Sequence, residues 1–258
     1  MVAFNGSGKA PAAATIDYYE AQGITEFDRR SPHSVTIPGA VDAWSQLLAD
    51  HGRMSLAEVL QPAIAFARDG YPISSRVHSD WSACKSLIAA EESTASIFLP
   101  NGDVPKVGQM HHQKKLAATL QLIADNGRDA FYHGEIAEDI VTYLRGKGGL
   151  HTLDDFANTR GEYVVPISTQ YQGYTVHECP PNGQGLFALL LLNVMSGFNA
   201  GHDGPITTNR MHQEIEACRL AYKARNMYLA DPAFSEVPIE ELLSEAVSYT
   251  HLTLPTKA

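Results

Sequence analysis

Apolar side chains recur at three-to-four spacing through much of the chain, the period that lines them along one face of a helix. Residues 40–50 carry Val41, Trp44, Leu47 and Leu48 in that pattern. Ser55-Leu56-Ala57-Glu58 follows, a capping box in which each outer side chain satisfies a backbone amide at a helix start. The helix it opens runs to about Asp69 and stops at Gly70, with Pro62 bending it. Further helices are predicted over 75–91, 112–126 and 136–144. In the second of these Leu116, Leu120 and Ile123 make an apolar stripe and Asn126-Gly127 supplies the stop. The glycines between 146 and 149 end the third, and Thr152-Leu153-Asp154-Asp155 caps one short turn.

Elsewhere the period changes. Residues 1–4 read as a short strand entering a turn at Asn5-Gly6-Ser7-Gly8, and 34–37 as a second extended piece ending at Pro38-Gly39. From 162 to 178 the signal is β: Val164, Val165, Ile167, Thr169 and Tyr171 precede a Gln172-Gly173 turn, and 174–179 runs back, a hairpin. After Pro180-Pro181-Asn182-Gly183-Gln184-Gly185, residues 186–195 are apolar all round, the mark of a buried helix. Residues 208–231 form a long amphipathic helix with Ile215, Cys218, Tyr222 and Tyr228 expected on its inner side.

The 258 residues are 44% hydrophobic and 19% charged, enough apolar material for one large domain or part of one. A net charge of -10 repels nucleic acid and anionic membrane, so neither is expected as a partner. The longest apolar run, 185–195, is too short to span a bilayer. A soluble chain is therefore expected. The N-terminus lacks the basic-then-apolar pattern of a secretory signal, which leaves cytoplasm and periplasm open and leans to the cytoplasm. Cys84, Cys179 and Cys218 are odd in number and form no CxxC pair, so they read as isolated packed thiols.

Candidate chemistry is sparse. Gly6-Ser7-Gly8-Lys9 invites a phosphate-loop reading, but Ala3 and Ala10 stand where that motif needs glycine and Ser or Thr. His111-His112, His133 and His151 lack ligand spacing, so no metal and no cofactor are expected, and the histidines read as solvated or hydrogen-bonded. The pairs Asp154-Asp155 and Glu240-Glu241 are neighbours pointing different ways, hence surface and capping groups. Asn182 and Gly183 leave a strand and enter a buried helix whose first amides are free, so a binding loop and a plain structural turn stay equally open. Arg219, Arg225 and Asp231 read as fixing the long helix to its surroundings.

Seven stretches in order resemble the gamma-glutamyltransferase family, from Ala10 to about Ala246. They are Ala10-Pro11-Ala12-Ala13-Ala14-Thr15, Ile37-Pro38-Gly39-Ala40-Val41, residues 60–70 with their internal proline, Phe131-Tyr132-His133-Gly134, residues 148–155, the 180–185 loop, and residues 219–232. The resemblance implies an N-terminal-nucleophile hydrolase: an α/β (α+β) fold forming part of an αββα sandwich, here a helix-rich large-subunit segment with a β-hairpin. It also implies a precursor that cuts itself and exposes a threonine whose hydroxyl opens an amide through an acyl-enzyme, its own amino group acting as base. The partner of this segment, residues 1–246, is then a C-terminal small subunit of the same precursor. Its ligand is a small-molecule amide, and the segment alone carries no catalytic residue.

Two departures shape the site. Four residues before the family's proline, here Pro11, the family places an arginine for the substrate carboxylate; this chain has Ser7, with Lys9 nearby. One neutral hydroxyl in place of a charged fork is a difference on the order of several kcal/mol in binding. Asn182-Gly183 replaces the paired serines of the family's Pro-Pro-Ser-Ser-Gly-Gly loop, a combination similar to the oxamate amidohydrolase-like branch. Ser7, Lys9, Asn182 and Gly183 are thus the expected substrate-binding residues of an amidohydrolase with a non-glutamyl substrate. A noncatalytic helical binding module is the rival from another class. Tyr249-Thr250-His251 mimics the family's nucleophile, but too few residues separate Pro232 from Thr250. Residues 247–258 resemble sequencing-adapter read-through rather than native chain, so Thr250 is not taken as the nucleophile.

Overall fold

A computed structural model describes residues 1–198, 206–244 and 246, and they fall into two units, Gly6–Gly161 and Met1–Asn5 with Glu162–Ala258. The 247–258 tail, Thr250 included, lies outside the described residues. Among those residues the strands make three separate antiparallel pairs and helices dominate, a mixed α/β arrangement.

In the Gly6–Gly161 unit the helices Ala40–His51, Leu56–Asp69, Lys114–Asn126 and Glu135–Gly146 enclose one core of Ile37, Val41, Ile64, Ile123, Tyr132 and Phe156 among others. The capping box forms as predicted: the Glu58 amide donates to Ser55 Oγ at 3.2 Å and the Ser55 amide to Glu58 Oε2 at 2.8 Å. The helix continues through Pro62 and ends at Gly70, whose φ of 88° suits glycine. A second capping box joins Thr152 and Asp155 ahead of Leu153–Ala157.

Several expectations fail here for identifiable reasons. Residues 75–91 are not one helix but Ser75–Ala83 and Lys85–Ala89, broken at Cys84, with Glu92–Phe98 after them. The stretch has no sustained apolar stripe, and Ser82 Oγ donates back to the His78 carbonyl at 2.7 Å, a local bond that competes with helix continuity. Residues 34–37 form no ladder; Pro32–Ser34 is a 3-10 turn and the Ile37 amide makes one bond, 2.9 Å to the Lys9 carbonyl. Trp44 and Leu116, placed inward by spacing, are 45% and 43% exposed, while Val41 and the small Ala117 take the buried positions. His111 is neither solvated nor bonded at Nε2: it is buried against Tyr71, Trp81 and Phe98, and burial, with His112 beside it, holds its pKa below the usual histidine range. His151 is buried too, with Nε2 2.9 Å from the Val35 carbonyl.

In the other unit Ala3–Asn5 pairs with Glu162–Val164, and the hairpin Ile167–Tyr171/Tyr174–Glu178 closes through Gln172 and Gly173, both at positive φ. That is the tight turn the sequence predicts. The Gly185–Ser196 helix is buried at Leu186, Leu189, Leu190 and Val194, as its even apolarity requires. Its one amide side chain is satisfied: Asn193 Nδ2 donates to the Leu243 carbonyl at 3.1 Å and Oδ1 accepts from the Thr169 hydroxyl. The long helix, Thr208–Tyr228, buries Ala217, Ala221 and Ala224, not the residues chosen from the sequence; Ile215 and Tyr222 are 54% and 55% exposed, and Cys218 and Tyr228 are also exposed. Apolar residues occur on more than one face of this helix, so spacing could not choose between them. The alanine face packs with Leu186, Phe187 and Leu190 of the neighbouring helix. Cys84 is likewise exposed rather than packed, and Cys179 is intermediate; all three thiols are free. No helix among the described residues is long and apolar enough to cross a membrane.

Candidate functional site

The predicted site residues divide between the two units, and each group is built differently. Ser7 and Lys9 are exposed on a turn whose glycines are fixed by close packing. A Cβ on Gly8 would lie 1.4 Å from the Ile37 carbonyl oxygen, one on Gly39 2.2 Å from the Gly6 oxygen, and one on Gly6 2.7 Å from Ala43 Cβ. Two backbone segments therefore cross without side chains between them, and the Ile37 amide bonds the Lys9 carbonyl at the crossing. Just beyond, the Ala12 amide donates to Asp155 Oδ1 at 2.9 Å. Burial works against the Asp155 charge, but the Ala12 amide and the Thr152 hydroxyl and amide outweigh it and hold its carboxyl below the usual carboxylate range.

Under this turn sits a buried polar knot that sequence reading missed. Asp42, 4% exposed, accepts from Arg128 Nε through Oδ1 and from the Gly161 amide through Oδ2 at 2.6 Å. Arg128 also donates to the Thr159 carbonyl at 2.5 Å and lies 4.4 Å over the Tyr132 ring. The Tyr132 hydroxyl accepts from the Asp42 amide at 3.1 Å and donates to the Pro38 carbonyl at 2.7 Å. Burial pushes that hydroxyl's pKa up, so it stays a donor. In the sequence Asp42 reads only as an acid in a helix's first turn; its neighbour Val41, on the buried face, was the available clue.

In the second unit Asn182 and Gly183 lie on the 180–185 loop. Asn5 Nδ2 donates to Asn182 Oδ1 at 3.2 Å, so Asn182 is tied to the end of the first strand. Gly183 is exposed, and a Cβ there meets nothing within 4 Å. At Gly185, by contrast, a Cβ would come within 2.7 Å of Glu178 Cβ, which explains glycine where the loop becomes a helix. Gln184 caps that helix without a side-chain bond to it; its Oε1 accepts from Arg225 Nη1 at 2.9 Å, and the Arg225 guanidinium lies 4.3 Å over Tyr222. Arg225 thus fixes the long helix as expected, whereas among the described residues Arg219 bonds Glu216 on its own helix and Asp231 accepts the Ala233 amide in a local turn. Asp154, Glu240 and Glu241 are exposed, as predicted.

Comparison with known proteins gives this arrangement a family. The gamma-glutamyltranspeptidase family model matches residues 1–252. A glutathione hydrolase-like proenzyme, YwrD, of Bacillus subtilis (strain 168) is 38% identical over 242 residues, covering 94% of this chain and 46% of that protein. An acylase ACY 1 proenzyme of Pseudomonas sp. (strain SE83) is 32% identical, with 95% and 46% covered. Among solved structures, a cephalosporin acylase from Bacillus halodurans superposes with a TM-score of 0.89 at 35% identity, over 98% of this chain and 48% of that one. The gamma-glutamyltranspeptidase of Helicobacter pylori gives 0.88 at 27% identity, over 100% and 76%. The chain spans about half the length of the curated relatives it matches, and over that span it belongs to the gamma-glutamyltranspeptidase family.

Proposed function

We propose that these residues form the large-subunit part of a self-processing amide hydrolase or acyltransferase whose attacking threonine is supplied by the rest of the precursor. The match over residues 1–252 carries this reading. Relatives named as proenzymes, both glutathione hydrolase-like and acylase, support it. Apolar side chains left exposed at Trp44, Val59, Phe66, Ile215 and Tyr222 are assigned to contact with that remaining part. Chemically, the threonine hydroxyl adds to the amide carbonyl and expels the amine, and water or an acceptor amine then releases the acyl group.

The acyl group is assigned as small or non-glutamyl. Ser7 stands where the family arginine would pair with a glutamyl carboxylate, and it offers a hydroxyl without charge or fork. Lys9, exposed on the same turn, supplies a point charge to a different ligand geometry. In the other unit, Asn182 and Gly183 are assigned to substrate binding by the resemblance of their loop, the exposed Gly183 leaving space where the family carries a side chain.

Expression of the whole source gene tests the reading. Two chains on a denaturing gel, with hydrolysis of small acyl amides exceeding that of a gamma-glutamyl anilide, are expected. Ser7→Arg is expected to raise turnover of the glutamyl anilide. A protein that never splits favours the noncatalytic module, and one that already cleaves the anilide like an arginine-bearing relative refutes the non-glutamyl assignment.

A further inference from the structure

Tyr132 holds its hydroxyl in a place the core does not require. Its ring, 1% exposed, fills the same cluster as Phe131 and Phe156, which pack there as plain hydrocarbon. The hydroxyl instead donates to the Pro38 carbonyl at 2.7 Å. Pro38 sits between the two residues that grip the 6–9 turn: the Ile37 amide bonds the Lys9 carbonyl at 2.9 Å, and Gly39 faces the Gly6 oxygen too closely for any side chain. Tyr132 itself cannot drift, because the Asp42 amide donates to it and Arg128 covers its ring while bonding Asp42 and the Thr159 carbonyl. A chain of contacts, buried at the Asp42 amide and part-buried elsewhere, thus runs from Arg128 and Asp42 through Tyr132 and Pro38 to the turn that presents Ser7 and Lys9.

We infer that Tyr132 is a positioning residue for substrate binding, setting the placement of the 6–9 turn through the Pro38 carbonyl. The inference rests on the reading that Ser7 and Lys9 face the substrate, but its first consequence is structural and is measured without turnover. Removing the hydroxyl orphans the Pro38 oxygen and the Asp42 amide together, and the 37–39 segment loses its fixed point against the turn.

Tyr132→Phe in the full-length gene product is the test, read by amide hydrogen exchange and by steady-state kinetics on the best small amide. Exchange at the Ile37 amide is expected to quicken by about tenfold, the scale of one lost hydrogen bond, while the Leu56–Asp69 helix is unchanged. KM is expected to rise about three- to tenfold with kcat within about twofold, the signature of weakened uniform binding. An unchanged Ile37 amide overturns the inference. So does faster exchange throughout the unit, or faster exchange at Ile37 with KM unmoved, since either reduces Tyr132 to a fold residue. If the phenylalanine variant does not accumulate, 3-fluorotyrosine at position 132 keeps ring and hydroxyl and strengthens the donor. Slower Ile37 exchange is then expected, and no change overturns the inference. A protein that cleaves no amide at all counts against the proposed function, while the exchange at Ile37 still decides whether Tyr132 grips the turn.

Discussion

The 6–9 turn and the 180–185 loop are both glycine-rich, both partly exposed, and both predicted to touch substrate, yet their glycines do opposite things. At the turn, Gly6, Gly8 and Gly39 exist because two backbones cross with no room for a methyl group. In the loop only Gly185 is crowded, and by the Glu178 side chain rather than by backbone, whereas Gly183 borders open space. Glycine in the first region is structural necessity, and at 183 it is a free choice. Variation that tunes specificity is therefore expected at Ser7, Asn182 and Gly183, on a frame that Gly8, Gly39 and Gly185 hold constant.

The largest effect that breaks or upholds this contrast belongs to Gly8→Ala. Its Cβ would overlap the Ile37 carbonyl oxygen, a backbone atom with no rotamer to escape into, so the crossing must separate. Destabilisation of about 3 kcal/mol or more is expected by urea unfolding of the full-length protein. A variant within experimental error of the parent would show that the crossing is not where the structure puts it. Gly185→Ala comes next, at about 1–3 kcal/mol, because the opposing Glu178 side chain yields more readily than backbone but its Cβ does not.

How much of this was legible in the sequence follows from the same distinction between local and long-range causes. The Ser55–Glu58 capping box, the cap at Thr152, the Gln172-Gly173 hairpin and the buried Gly185–Ser196 helix depend on residues a few positions apart, and the sequence predicts each, though not that Asp155 answers Thr152 in a second box. The long helix was found but turned the wrong way, because alanines at 217, 221 and 224 signal close helix packing rather than hydrophobic bulk. The Asp42, Arg128 and Tyr132 knot was invisible: its members lie 86 and 90 positions apart, and nothing local distinguishes a buried aspartate from a surface one at a helix start. Ser7, Lys9, Asn182 and Gly183 entered by resemblance, and the reason glycine flanks Ser7 became plain only from what lies opposite.

Acid sharpens the contrast from another side. The turn continues into Ala12, whose amide is held by the Asp155 carboxylate, while the loop is tied through amide side chains, Asn182 to Asn5 and Gln184 to Arg225. Asp155 titrates below its ordinary value in the folded state, so its contribution to stability is fully present above about pH 4 and is lost as pH falls through the lowered folded-state pKa. The Ala12 amide resonance is expected to move in that acid window and the Asn182 side-chain resonances to stay. Asp155→Asn should abolish the Ala12 response. Movement of both regions together would mean that they do not loosen independently.

The smallest effect is the most informative about specificity. Gly183→Ser restores a side chain that the family carries in this loop, and its Cβ meets no atom within 4 Å and brings no backbone strain, since Gly183 is not at positive φ. Unfolding free energy is expected to stay within about 0.5 kcal/mol of the parent. If the loop faces the substrate, the same change must still be felt in catalysis, because the added hydroxyl fills space left for a different acyl group. KM for the preferred small amide should rise while the glutamyl anilide gains relative to it. A serine that leaves both stability and substrate preference untouched would remove Gly183 from the site and return the loop to a plain structural turn, with Ser7 and Lys9 left to carry specificity from the other unit.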